Sequence, residues 1–252
     1  FRLVQLSVQD FIVLLFLGSG VTACLISGVA VARRKEGNVQ ANMMMGLLLL
    51  FTALSVFNTF MAVASILSQF QNLYFIPVIY TFAIGPLFYL FIRIKSRPAY
   101  SLRKADFLHF IPVFLQASFF WSIGFRSAEY KSMIWRTLYG PYLQYIDEIG
   151  FIVITSGYFY LGFRLLEKIP ERLWIKPVFI WLKRFIRYAA VLLGIIIVYT
   201  IAEYVAWLGF GVNIYNIAYA GLPLLVAHGG IALWLGINAW IYSHQSIILI
   251  HE

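Results

Sequence analysis

The sequence predicts an all-α integral membrane protein, a single seven-transmembrane helix bundle over residues 1–252 with its N-terminus outside and its C-terminus in the cytoplasm. Three observations predict it. First, 62% of the 252 residues are hydrophobic and only 12% are charged, with mean hydropathy +0.84. Soluble domains are about half apolar and about a quarter charged, and a fold of this length cannot hide so much apolar surface from water. Second, seven apolar runs each approach or exceed the roughly 20 residues that cross a bilayer core of about 30 Å. Third, the basic residues are distributed unevenly between the connections. The net charge of +9 would suggest nucleic acid in a soluble chain; here it points to cytoplasmic loops.

The elements follow in order. Span one is expected at 8–32. It is too long for a cleavable leader and is stopped by Arg33, Arg34 and Lys35. Span two is expected at 41–67 and span three at 73–94. Gly85 and Pro86 interrupt span three; Pro86 removes a backbone donor and is expected to kink the helix there, as packing shape or hinge. Span four is expected at 107–125 and span five at 142–166. The connection between them, 126–140, carries Tyr130, Trp135 and Tyr139 and reads as an aromatic interfacial connector or a small lid. At 171–187 apolar Trp174, Val178, Trp181, Leu182 and Phe185 alternate at helical spacing with Lys176, Lys183, Arg184 and Arg187. An amphipathic helix on the cytoplasmic headgroup surface is expected there, with Pro177 in its first turn. Its Trp181, Lys183 and Arg184 are candidates for coupling to a cytoplasmic element. Spans six and seven are expected at 188–210 and 219–243. Continuous runs of this length favour helices over a barrel.

Orientation rests on the basic residues. Arg33, Arg34 and Lys35 follow span one. Arg93, Lys95, Arg97, Arg103 and Lys104 follow span three. Arg164, Lys168, Arg172, Lys176, Lys183, Arg184 and Arg187 lie between spans five and six. Only Arg2, Arg126, Lys131 and Arg136 fall on the other side. The lysine- and arginine-rich side is cytoplasmic, and an odd number of spans agrees with the split.

Ionisable residues inside a span are costly and mark candidate sites. Glu203 lies roughly 10 Å into span six from its outer end, and His228 roughly 13 Å into span seven from the same side, at 1.5 Å per residue. Matched depths allow a Glu203–His228 pair. Asp147 and Glu148 enter span five from that side, and Asp10 sits at the outer end of span one. Tyr199 and Trp207 are placed to line the same region. These residues suggest an outward-opening pocket for a small ligand; an interhelical polar network is the alternative. His109 is expected at the cytoplasmic interface, and His244 and His251 in solvent. Cys24, the one cysteine, lies in an apolar run and can form no intrachain disulfide.

Enzyme signals are poor. There is no HxxxH or HExxH spacing and no glycine-rich phosphate loop, so neither a metal site nor a cofactor is expected. The expected seventh span has no lysine for retinal, the G-protein-coupled-receptor motifs are missing, and no internal repeat supports a transporter fold.

Two stretches carry a family resemblance. Gly85-Pro86-Leu87-Phe88-Tyr89-Leu90-Phe91-Ile92-Arg93 is followed by a short basic loop and then by Ala105-Asp106-Phe107-Leu108-His109-Phe110-Ile111-Pro112. This arrangement resembles the N-terminal membrane region of seven-span AraC-type bacterial transcriptional regulators, with related regions on some sensor histidine kinases. Trp181-Leu182-Lys183-Arg184 is similar too. The resemblance implies a multi-pass protein of the bacterial cytoplasmic (inner) membrane. It implies an input domain that senses a small ligand or a membrane signal on the outer side, and a homodimer. DNA would be bound only through a helix-turn-helix domain expected after residue 252 and absent from these residues. Two other readings stay open: a small proton-coupled transporter relaying through Glu203 and His228, and a non-catalytic scaffold subunit of a membrane complex.

Overall fold

The computed structural model describes residues 7–97, 99–169, 177–212 and 221–248. Among them there is no strand. The helices are α1 (Val8–Ala32), α2 (Val39–Val63), the short α3 (Ile66–Gln69), α4 (Ile84–Ser96), α5 (Ile111–Gly124), α6 (Ala128–Ile134), α7 (Gln144–Glu167), α8 (Pro177–Phe210) and α9 (Leu222–Ile248). The part of the expected surface helix before Pro177, residues 213–220 and His251 lie outside the described residues. Six helical segments are long and apolar enough to cross a membrane, by length and composition. In each, only 22–39% of the most apolar window is buried inside the protein. The remainder, with Phe11, Leu15, Phe114, Val153 and Val198 all more than half exposed, needs an apolar solvent. The chain is an all-helical, multi-pass membrane protein on that ground.

Local chemistry sets the helix ends. Ser7 and Asp10 form a capping box at the start of α1, Ser7 Oγ accepting the Asp10 N–H at 3.1 Å. Asp10 is thereby a cap residue. Asn38 caps α2 through the Ala41 N–H at 3.0 Å. α1 is the central post on one side, packed against both α2 and α9. Small residues let the backbones close. A Cβ on Gly46 would sit 2.5 Å from Ala32 Cβ and 2.8 Å from the Gly28 carbonyl oxygen. A Cβ on Gly20 would sit 2.8 Å from the Gly229 carbonyl oxygen. Cys24 Sγ donates to the Ala232 carbonyl at 3.0 Å, buried in the α1–α9 seam. On the other side α4 packs between α2 and α7, with Phe88 stacked on Phe159 at 3.9 Å between ring centroids.

Three sequence expectations change. The stretch 73–94 is not one continuous helix. α4 begins only at Ile84 and has 13 residues, about 20 Å long, too short alone for a core of about 30 Å. Pro86 therefore occupies the first turn, where its missing N–H leaves no bond unmade; it starts a helix and does not kink one. Gly85 lets the α4 start approach α7, with its would-be Cβ 3.1 Å from Thr155 Cα. Second, the described part of the expected surface helix, 177–187, is the first three turns of α8. That helix runs 34 residues without a break, roughly 51 Å, since no glycine or proline interrupts it between Pro177 and Gly194. Third, the connection at 126–140 is helical. α6 passes into a π-helical turn, Trp135–Leu143, holding Pro141. Proline's missing donor and ring bulk widen a helix in this way.

Candidate functional site

Between α2, α4, α7, α8 and α9 lies a cavity of about 580 Å³, within the range of small-molecule sites. Its two ends differ in chemistry. The end where α2 and α8 finish and α7 and α9 begin carries Asn58, Tyr139, Asp147, Glu148, Glu203 and His228. The other end is walled by Leu48, Phe88, Phe159, Leu193 and Leu235. Along α7, Asp147 and Phe159 are separated by roughly 18 Å at 1.5 Å per residue. No lysine or arginine is among the described lining residues.

The irregular stretch before α4, with short 3-10 turns at Gln71–Leu73 and Thr81–Ala83, forms part of the wall through Leu73, Tyr74, Phe75, Ile76 and Ile79. Irregular backbone needs partners for the polar groups that no helix or sheet satisfies. Here the π-helical turn and α6 roof it. Lys131 Nζ donates to the Asn72 carbonyl at 2.7 Å, Ser132 Oγ donates to Gln71 Oε1 at 2.7 Å, and Trp135 stacks on Tyr74 at 5.1 Å. Phe75 takes a left-handed backbone with φ 57°, and its carbonyl oxygen would lie 2.6 Å from a Cβ on Gly124.

Asp147 is held by neutral donors. Gln116 Nε2 donates to its Oδ1 at 2.6 Å and Tyr139 Oη to its Oδ2 at 3.2 Å. Gln116, buried in α5, also donates to Thr81 Oγ1 at 2.9 Å and accepts the Phe82 N–H at 3.3 Å. One side chain thus ties α5, the turn before α4 and α7 together. Glu148 accepts from Gln144 Nε2 at 2.9 Å and from Tyr204 Oη at 2.6 Å, linking α7 to α8. His228 Nδ1 lies 2.9 Å from the Leu224 carbonyl oxygen. A carbonyl only accepts, so that nitrogen carries a proton. Replacing Gln116 by leucine orphans Asp147 Oδ1, Thr81 Oγ1 and the Phe82 N–H together. The expected loss is about 2 kcal/mol or more of stability, read as a lower thermal midpoint of the purified protein.

Four of the sequence candidates, Asp147, Glu148, Glu203 and His228, therefore line one cavity. Tyr199 and Trp207 are not among its lining residues. Trp207 continues the cavity-facing stripe one turn past Glu203, where it is 44% exposed and stacks on Tyr145 at 5.3 Å. Gly85 and Pro86 are buried at the α4 start. The sequence reading missed Gln116, Thr81 and Gln144, and took Tyr139 only for a belt residue. A signal for the α8 wall was present: Ala189, Leu193, Ile196, Thr200 and Glu203 recur every three or four residues and all line the cavity.

The opposite end of the bundle holds the resemblance residues. Asp106, 5% exposed, accepts from Arg93 Nη1 at 2.9 Å, from the Arg103 N–H at 2.7 Å and from the Tyr100 hydroxyl. The Arg93 guanidinium lies 4.3 Å from the Tyr100 ring centroid. Burial, reinforced by the bond to Asp106, pushes the Tyr100 phenol up to about 12. His109 Nδ1 lies 2.9 Å from Tyr158 Oη. Trp181 stacks on Phe185 at 4.9 Å and meets Phe91 edge-on at 6.2 Å. Phe185 in turn stacks on Phe88 at 5.8 Å and on Trp234 at 5.4 Å. Lys183, Arg184 and Arg187 are exposed around a shallow groove with Ile180.

Comparison with known proteins adds no relative: no family model, no curated protein and no solved structure matches the chain.

Proposed function

We propose that this chain is the membrane-embedded input domain of a bacterial signalling protein of the inner membrane. Its output would be an AraC-type helix-turn-helix domain on the cytoplasmic side. The observation that carries the sensor reading is the cavity, which gathers Asp147, Glu148, Glu203 and His228 at one end and an apolar floor at the other. The resemblance at 85–93 and 105–112 carries the choice of regulator. In this reading the chain crosses the bilayer seven times, the third crossing being α4 with the irregular stretch before it. The acidic end of the cavity faces outward. Basic residues beside α4 and on α8 face the cytoplasm and its anionic lipids.

The cavity floor offers a route to the output. Phe88 and Phe159 line it, and Phe88 stacks on Phe185, which stacks on Trp181 and Trp234. A ligand that binds two packings of α8 unequally would bias that aromatic cluster. A homodimer would present paired output domains to paired DNA half-sites.

A transporter reading draws on Glu203 and His228 sharing the same cavity. The deciding experiment reads the gene beyond the codon for Glu252 and measures proton flux in vesicles holding the protein. A following helix-turn-helix domain and no flux are expected. A stop codon within a few residues, or proton-coupled uptake, would overturn the regulator reading.

A further inference from the structure

We propose that the cavity binds an amphiphilic organic cation: an ammonium head among Asp147, Glu148 and Glu203, an apolar chain toward Phe88 and Phe159, and a hydrogen-bonding atom roughly 12 Å from the head, level with Thr155. The inference deepens the sensor reading and depends on it only for the purpose of binding.

Charge comes first. Three carboxylates line one end of the cavity, and no lysine or arginine is among the described lining residues. The side chains bonded to Asp147 and Glu148 are amides and phenols, which orient a carboxylate without neutralising it. The partners described for Asp147 and Glu148 are uncharged, and a ligand cation supplies the counter-charge that such carboxylates need at membrane depth. An anionic head would meet the repulsion of all three.

A second observation is independent of the acids. Thr155 lines the cavity and is only 1% exposed, yet its Oγ1 has no hydrogen-bond partner. A buried hydroxyl left unbonded is costly. Thr155 lies two turns beyond Asp147 on α7, roughly 12 Å deeper, among apolar walls. A ligand hydroxyl or carbonyl at that distance from the head would satisfy it. Shape agrees: about 580 Å³, elongated along α7, acidic at one end and apolar at the other.

The test uses the whole chain in lipid nanodiscs, with empty discs as the partitioning control. Four probes are compared: decyltrimethylammonium, its 10-hydroxy derivative, decanoate and decanol. The hydroxylated cation should bind tightest, about threefold tighter than the plain cation, the scale of one neutral hydrogen bond. Decanoate should bind at least about tenfold more weakly than either. Glu203→Gln should weaken both cations about tenfold, the scale of one charge-assisted bond, and leave decanol unchanged. Thr155→Val, isosteric and free of any broken hydrogen bond, should erase the advantage of the hydroxyl and spare the plain cation. Equal binding of decanoate and the cations, or cation binding indifferent to Glu203→Gln, would overturn the proposal. If decanol alone binds, the cavity is a ligand site of another class and the sensor reading survives. Regulator identity is decided separately, by the gene beyond Glu252.

Discussion

Replacing Asp106 by alanine is expected to cost about 3–5 kcal/mol of stability. The Asp106 side chain is 6% exposed and that of Arg93 23%, so the pair is mostly withdrawn from solvent. Alanine would leave the Arg93 guanidinium, the Tyr100 hydroxyl and the Arg103 N–H facing a lost acceptor. An orphaned buried charge is much worse than an absent pair. The double variant Arg93→Met with Asp106→Leu should therefore recover part of the loss. Thermal unfolding of the detergent-purified proteins checks both. If the single and double variants unfold at the wild-type temperature, the cluster is not a stabilising unit.

Gly46→Leu should be comparably damaging for a different reason. The space beside Gly46 is filled by Ala32 Cβ at 2.5 Å, Ala32 Cα at 2.9 Å and the Gly28 carbonyl oxygen at 2.8 Å. Two of these are backbone atoms and cannot rotate away. A leucine must push α1 from α2, and the seam with α9 moves with α1. Overpacking of a tight core costs about 1–3 kcal/mol, and more where backbones must part. In lipid, helix association rests on close packing because the hydrophobic effect no longer drives it. We expect a loss of about 3 kcal/mol or more, seen as aggregation on size exclusion or a lower thermal midpoint. The contrast is Gly194→Ala in α8, where nothing lies within 4 Å of a Cβ. Alanine there should be neutral or stabilising by up to about 1 kcal/mol. Equal effects at both positions would contradict the close α1–α2 crossing.

These cases show what the sequence could reveal. The bounds of α1 coincide with the apolar run before Arg33, because hydropathy and the capping residues Ser7 and Asp10 act locally. The shared placement of Asp147, Glu148, Glu203 and His228 was legible from depth alone, since helices of known rise put those residues level. The break in the apolar stretch 73–94 was not. Hydropathy counts apolar side chains and is blind to whether their backbone is helical. Gly85-Pro86 did mark the place, but a proline reads equally as a kink or as a first turn until a neighbour decides. The roles of Gln116 and Tyr139 could not be read, because their partners lie on other elements. Tyr199 and Trp207 were judged by depth, whereas lining a cavity also needs the right face and the right turn.

The irregular stretch before α4 has a consequence for how the protein is made. Synthesis runs from the N-terminus, so residues 73–83 leave the ribosome before α5, α6 and the π-helical turn that will roof them. In the interval the Asn72 carbonyl and the Phe82 N–H lack the partners they have in the fold. This part of the cavity wall therefore cannot be finished in the order in which it is translated. It is complete only when Lys131 reaches the Asn72 carbonyl and Gln116 accepts the Phe82 N–H. The cavity wall is among the last parts of the early chain to settle, and it settles around pieces delivered later.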